Sequence, residues 1–139
     1  MRLSSSARLT PFTYHLGSVP LALAGQAERA VEWGERALRL SPLDPSSYVP
    51  GCAIALGYFQ QERYEEAASA ARRAISFSHV VFTAPLAKLG QMDEARAAAA
   101  RALALQPGFT TRGWCAAVGV TAALTASLSE ALHTARLPD

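Results

Sequence analysis

The chain has 139 residues, half of them apolar, and a formal charge of +2, which allows one domain that can bury roughly two thirds of its unfolded surface. Much of the apolar share is alanine, and β-branched residues are few and scattered, so the composition points to helices and leaves little to build a sheet from. Basic residues form no stripe and are not interleaved with aromatics, and Cys52 and Cys115 stand far apart without a CxxC, which argues against nucleic-acid binding and a disulfide framework.

Residues 1–10, with the polar tract Ser4-Ser5-Ser6, are expected to be disordered. From Leu9 to Ala27 there is no formal charge, Arg2 and Arg8 precede the stretch, and Leu21-Ala22-Leu23-Ala24 offers a cleavage-like site. Pro11, His15 and Pro20 interrupt the continuous apolar run that a signal peptide requires. The expected location is therefore the cytoplasm, with export as the alternative. A second uncharged stretch, Gly113 to Ser129, contains four Ser/Thr and two Gly. It falls short of the ~20 apolar residues of a spanning helix, so no membrane association is expected.

Three segments align without gaps: 27–42, 64–79 and 92–107. In each, an alanine recurs after seven residues (Ala30/Ala37, Ala67/Ala74, Ala95/Ala102), and an arginine precedes the second alanine (Arg36, Arg73, Arg101). Acids open each segment (Glu28; Glu65 and Glu66; Asp93 and Glu94), where the positive end of a helix dipole favours them. Pro42 and Pro107 stop the first and third segments. Each segment reads as one helix of about four turns, preceded by a tight turn at Gly25-Gln26, Glu62-Arg63 or Gly90-Gln91 and by another apolar stretch, clearest from Tyr48 to Gln60. No a/d heptad is sustained, which argues against a coiled coil.

The unit of helix, turn, helix and proline resembles the tetratricopeptide repeat, strongly in the second helices and weakly in the first. That resemblance implies an all-α fold: an α-solenoid of antiparallel helix pairs with about three irregular units, 11–42, 48–79 and 80–107. Residues 108–139 are then a linker and a C-terminal capping helix, on which Leu124, Leu128, Ala131, Leu132 and Ala135 share a face. Ser127 and Glu130 could box its start, so that it begins late. The intervals Ala30–Ala67 and Ala67–Ala95 are 37 and 28 residues, against a family period of about 34. The first carries the turn-rich linker Ser41 to Ser47. The second leaves only Ser78 to Leu89 for a whole helix, and Pro85 with the β-branched or aromatic Val80 to Thr83 predicts an irregular, short element there. Val80 and Phe82 would then be available to a partner, and residues before Ala27 fit a first helix poorly.

Residues 29–45 and the ending Ala126 to Leu132 also resemble the C-terminal tetratricopeptide region of bacterial adenylate/guanylate cyclases and related winged-helix regulators. This resemblance implies a second reading, a regulatory segment of a signalling protein whose catalytic or DNA-binding domain is not in this sequence.

Nothing in the sequence assembles a catalytic, cofactor or metal site. His15, His79 and His133 lie in separate units without a ligand partner at helical spacing, and the paired acids are explained by helix starts. The expected function is protein–protein interaction without catalysis, the partner being a protein, a peptide or another domain of a parent protein. The tetratricopeptide resemblance implies a groove lined by the first helix of each unit. By the turn positions, that face carries Val49, Cys52, Leu56, Phe59 and Gln60, then Val80, Ala84, Ala87 and Lys88.

Overall fold

The computed structural model describes residues 11–73 and 79–139; the disorder expected for residues 1–10 and the register position Ala74 lie outside them. Among the described residues the chain is all-α, with eight helices and no strand: α1 (Pro11–Leu23), α2 (Ala27–Leu40), α3 (Tyr48–Gln60), α4 (Tyr64–Arg73), α5 (His79–Lys88), α6 (Met92–Leu105), α7 (Thr111–Val118) and α8 (Ala122–Thr134). Neighbours in sequence pack on one another through α6, and α7 packs on α8. Beyond these, α1 meets α3, α3 meets α5, and α5 meets α8.

The turns that join α1 to α2, α3 to α4 and α5 to α6 are the same device used three times. Gly25, Glu62 and Gly90 adopt positive φ of 85°, 59° and 76°. The next residue's N–H reaches the carbonyl five back: Gln26 to Leu21, Arg63 to Tyr58, Gln91 to Leu86. The positive-φ residue itself bonds three back, to Ala22, Phe59 and Ala87. These are Schellman closures, which satisfy the carbonyls a helix end leaves over. Each following helix then starts alike, with the N–H of Ala30, Ala67 or Ala95 bonded 2.9 Å to the carbonyl of Gln26, Arg63 or Gln91. Those three alanines are 0% exposed, whereas Arg36, Arg73 and Arg101 face solvent. The repeated alanine is thus the point at which each second helix meets the core, where nothing larger than a methyl group is accommodated without displacement.

Two expectations are corrected. Pro85 does not make α5 irregular: the helix runs unbroken from His79 to Lys88, and every residue from Val80 to Ala87 is buried, Phe82 included. The helix is short but sits among α3, α4, α6 and α8, and burial on all sides outweighs the ~3 kcal/mol that an interior proline costs. Residues 11–23, poor in helix signals, still form α1 with Pro20 inside it. Burial of Tyr14, Ser18 and Ala22 against its neighbours and the edge-on packing of Tyr14 on Trp33, 5.2 Å between centroids, hold it in place.

The C-terminal region holds two helices, not a linker and one. Thr110 caps α7 by accepting from the Gly113 N–H, and Thr121 caps α8 by accepting from the Leu124 N–H. The α8 helix therefore starts at Ala122, ahead of Ser127. Its buried face is the one read from the sequence, Leu124, Leu128, Ala131, Leu132 and then Ala135. Lys88 pairs with Glu130 at 3.1 Å along the α5–α8 seam. The tail returns to the start of α7, where the Thr111 N–H donates 2.8 Å to the Pro138 carbonyl. The turn between α7 and α8 in turn reaches α1, with the Thr121 N–H 3.3 Å from the Leu23 carbonyl. No helix among the described residues is long and apolar enough to cross a membrane.

Candidate functional site

Because the C-terminal segment bends back to α1, α7 stands opposite α1, α3 and α5. Between them lies a cavity of about 650 Å³. Val19 and Leu23 of α1, then Val49, Cys52 and Leu56 of α3, form its floor on one side. The start of α5 (His79, Val80, Val81) and the end of α6 (Ala102, Leu105, Gln106) continue it. Trp114, Ala117 and Val118 of α7 close the far wall. Leu105 is 71% exposed and Val118 38%, so large apolar side chains stand in water at its edge.

Of the residues expected to form a groove, Val49, Cys52, Leu56 and Val80 line this cavity. The others are used in packing. Phe59 is buried against Tyr64, 5.6 Å between ring centroids. The Gln60 amide donates to the Ala22 carbonyl at 2.9 Å and to the Leu56 carbonyl at 3.1 Å, tying the end of α3 to the end of α1. Ala84 and Ala87 are buried in α5, and Lys88 is held by Glu130. The far end of the expected groove is therefore filled by α8. Val80, expected to be free, is buried in the cavity floor, and Phe82 lies beneath the Arg72 guanidinium, 5.0 Å from its ring centroid.

The lining carries no carboxylate, lysine or arginine among the described residues. Its polar groups are weak ones. Burial pushes the Cys52 thiol up to about 12, so it remains a small neutral group. His79 is shifted below its ordinary value, first by burial and then by the Arg101 charge, and is neutral at pH 7; its Nδ1 is buried without a hydrogen-bond partner. Gln106 and the Trp114 indole complete the set. No group of three His, Cys, Asp or Glu that could hold a metal ion occurs among the described residues. A thiolate, not a thiol, attacks alkylating reagents, and a thiol pushed this far up stays protonated at pH 8. Iodoacetamide should therefore leave Cys52 unmodified in the folded chain and modify it once denaturant is added, as read by peptide mass spectrometry.

A second cleft, about 500 Å³, lies between α2, α3 and α4. It is lined by both signs of charge, with Glu35 accepting from the Tyr58 hydroxyl at 3.1 Å and Glu66 paired with Arg63. Burial and then the Glu35 contact raise the Tyr58 pKa. Charged side chains thus stand beside the apolar Leu38, Ile54 and Ala70 in this seam between the three helices.

The chain matches no protein-family model, no curated protein and no solved structure.

Proposed function

We propose that the chain is a non-catalytic protein-interaction module of tetratricopeptide type, a solenoid of three irregular helix pairs followed by a C-terminal pair. The observation that carries this reading is the apolar cavity on the side of α1, α3 and α5, the first helices of the three pairs. Support for the repeat comes from the threefold Schellman turn and the three fully buried alanines. Two unpaired cysteines suit a reducing, cytoplasmic setting.

The partner is a protein that presents apolar side chains to the cavity while its own main chain stays outside. A helix 10 Å across occupies about 120 Å³ per residue, so 650 Å³ corresponds to about five residues, under two turns. A helix pairs its backbone groups internally away from its ends, so the limit is space: the cavity admits side chains from one face of a partner and not a length of helix. Selection of a random peptide library against the folded chain tests this. Recovered peptides should share apolar or aromatic anchors and should bind Val118→Arg at least tenfold more weakly, because that charge stands at the cavity edge on an exposed position. No enrichment, or equal binding to the variant, would overturn the reading.

A further inference from the structure

We infer that the same cavity also takes a neutral, apolar small molecule of two to four rings or equivalent bulk, held behind α7. The inference deepens the reading of this cavity as the binding site and does not depend on which protein the chain meets.

Three observations carry it. The first is size. Protein interiors leave few voids larger than a water molecule, and an apolar cavity of about 150 Å³ holds one benzene ring. At about 650 Å³, this cleft, open to solvent along its edge, falls within the range of small-molecule sites, about 300–1,000 Å³. No single side chain of a partner fills it.

The second is charge. No ionised side chain among the described residues lines it, and its polar groups, Cys52, His79, Gln106 and the Trp114 indole, are neutral or weak hydrogen-bonding groups. An anion or cation entering would lose its hydration with no counter-charge to replace it. An uncharged ligand loses nothing comparable, and the apolar floor of Val19, Val49, Leu56 and Val80 rewards it.

The third is the wall itself. The α7 helix has eight residues, of which only Thr111 and Cys115 are buried. It ends on Gly119 at φ 78°. Trp114, Ala117 and Val118 line the cavity; Trp114 is only partly buried against the core and Val118 is 38% exposed, so a ligand in that space would bury more of both. A ligand would complete the packing between α7 and the first helices, and would compete with a partner's anchor for the same volume.

The test uses two probes that share one skeleton. N-phenyl-1-naphthylamine is neutral, has three rings and fluoresces when removed from water; 8-anilino-1-naphthalenesulfonate carries the same rings with a negative charge. The full chain should bind the neutral probe saturably at one site and the sulfonate at least tenfold more weakly. Ala117→Trp fills the cavity from an exposed position on α7 and should weaken the neutral probe at least tenfold. Ala116→Trp, exposed on the same helix but not lining the cavity, should leave it unchanged. Circular dichroism of both variants controls for folding. Absence of binding, equal affinity for the two probes, or equal affinity of the two variants would overturn the inference. Failure of the neutral probe alongside a successful peptide selection removes only the small-molecule ligand. Binding of the probe with no peptide recovered removes only the protein partner.

Discussion

Ala67→Glu should lower Tm by about 15 °C, corresponding to about 4 kcal/mol for a domain of this size. Ala67 is 0% exposed in the first half of α4, four residues beyond the turn residue Arg63 whose carbonyl receives its N–H. A glutamate there adds four heavy atoms to a closed site, which alone costs about 1–3 kcal/mol through displaced neighbours. It also asks a carboxylate to leave water for a closed, apolar site, so the group takes up a proton instead and its folded pKa rises. A raised folded pKa makes the loss grow as pH climbs above the unfolded value of about 4.3. Below that value the steric part alone remains. Ala67→Gln, nearly the same shape without the charge, should therefore match Ala67→Glu at pH 3.5 and be clearly more stable at pH 7. Thermal melts of the three proteins at both pH values decide the matter. A melting temperature unaffected by the glutamate would put Ala67 on the surface and break the repeat register.

That register was legible because the second helices are two-faced. In α2, α4 and α6 charged residues cover the outer side, acids cluster in the first turn and alanines recur on the inner side, so periodicity marks the buried face. The first helices carry no such contrast. From Pro50 to Gly57 every residue of α3 is buried, and α5 is buried from Val80 to Ala87. A helix apolar all round shows no period to read, and for α5 the proline and β-branched residues then weighed more in the sequence than they do in the fold. Gly25 and Gly90 announce their left-handed turns, but Glu62 makes the same turn with an ordinary residue at φ 59°; only its alignment with the other two signals it.

The cavity was half legible for a related reason. Val49, Cys52, Leu56 and Val80 follow from placing the first helices side by side. The opposite wall depends on the C-terminal segment folding back until Thr121 meets Leu23, nearly a hundred residues away in sequence, and no local pattern encodes a contact of that range. α7 itself is short, contains Gly113 and buries two residues, so its helical period is lost in an uncharged stretch. Trp114, a single large aromatic within that stretch, was the one available sign that the segment faces something apolar.

Gly57→Leu should cost at least about 3 kcal/mol, a fall of roughly 10 °C in Tm, because α2 and α3 touch through glycines. A Cβ built on Gly57 would lie 2.6 Å from Val31 Cγ2 and 2.9 Å from the Ala27 carbonyl oxygen. The valine could turn aside, but the carbonyl belongs to the backbone of α2 and moves only with the helix. Gly34 makes the reciprocal approach, its Cβ position 2.6 Å from Ile54 Cγ1 and 3.0 Å from the Pro50 carbonyl. Gly57→Ala should be milder than leucine, since the clash is partly offset by the ~1 kcal/mol that alanine gains over glycine inside a helix. Leucine adds three more carbons to the same gap and drives the two helices apart. Gly90→Leu separates this crowding from backbone strain. Nothing lies within 4 Å of its Cβ position, but φ is +76°, so its cost should be only the ~1–2 kcal/mol of a side chain in the left-handed region. The expected order of stability is wild type, then Gly57→Ala and Gly90→Leu, then Gly57→Leu, measured by urea denaturation at a fixed slope. Should Gly57→Leu prove as stable as Gly90→Leu, the two helices are not in glycine-mediated contact, and α3, whose Val49, Cys52 and Leu56 form the cavity floor, would have to be placed farther from α2.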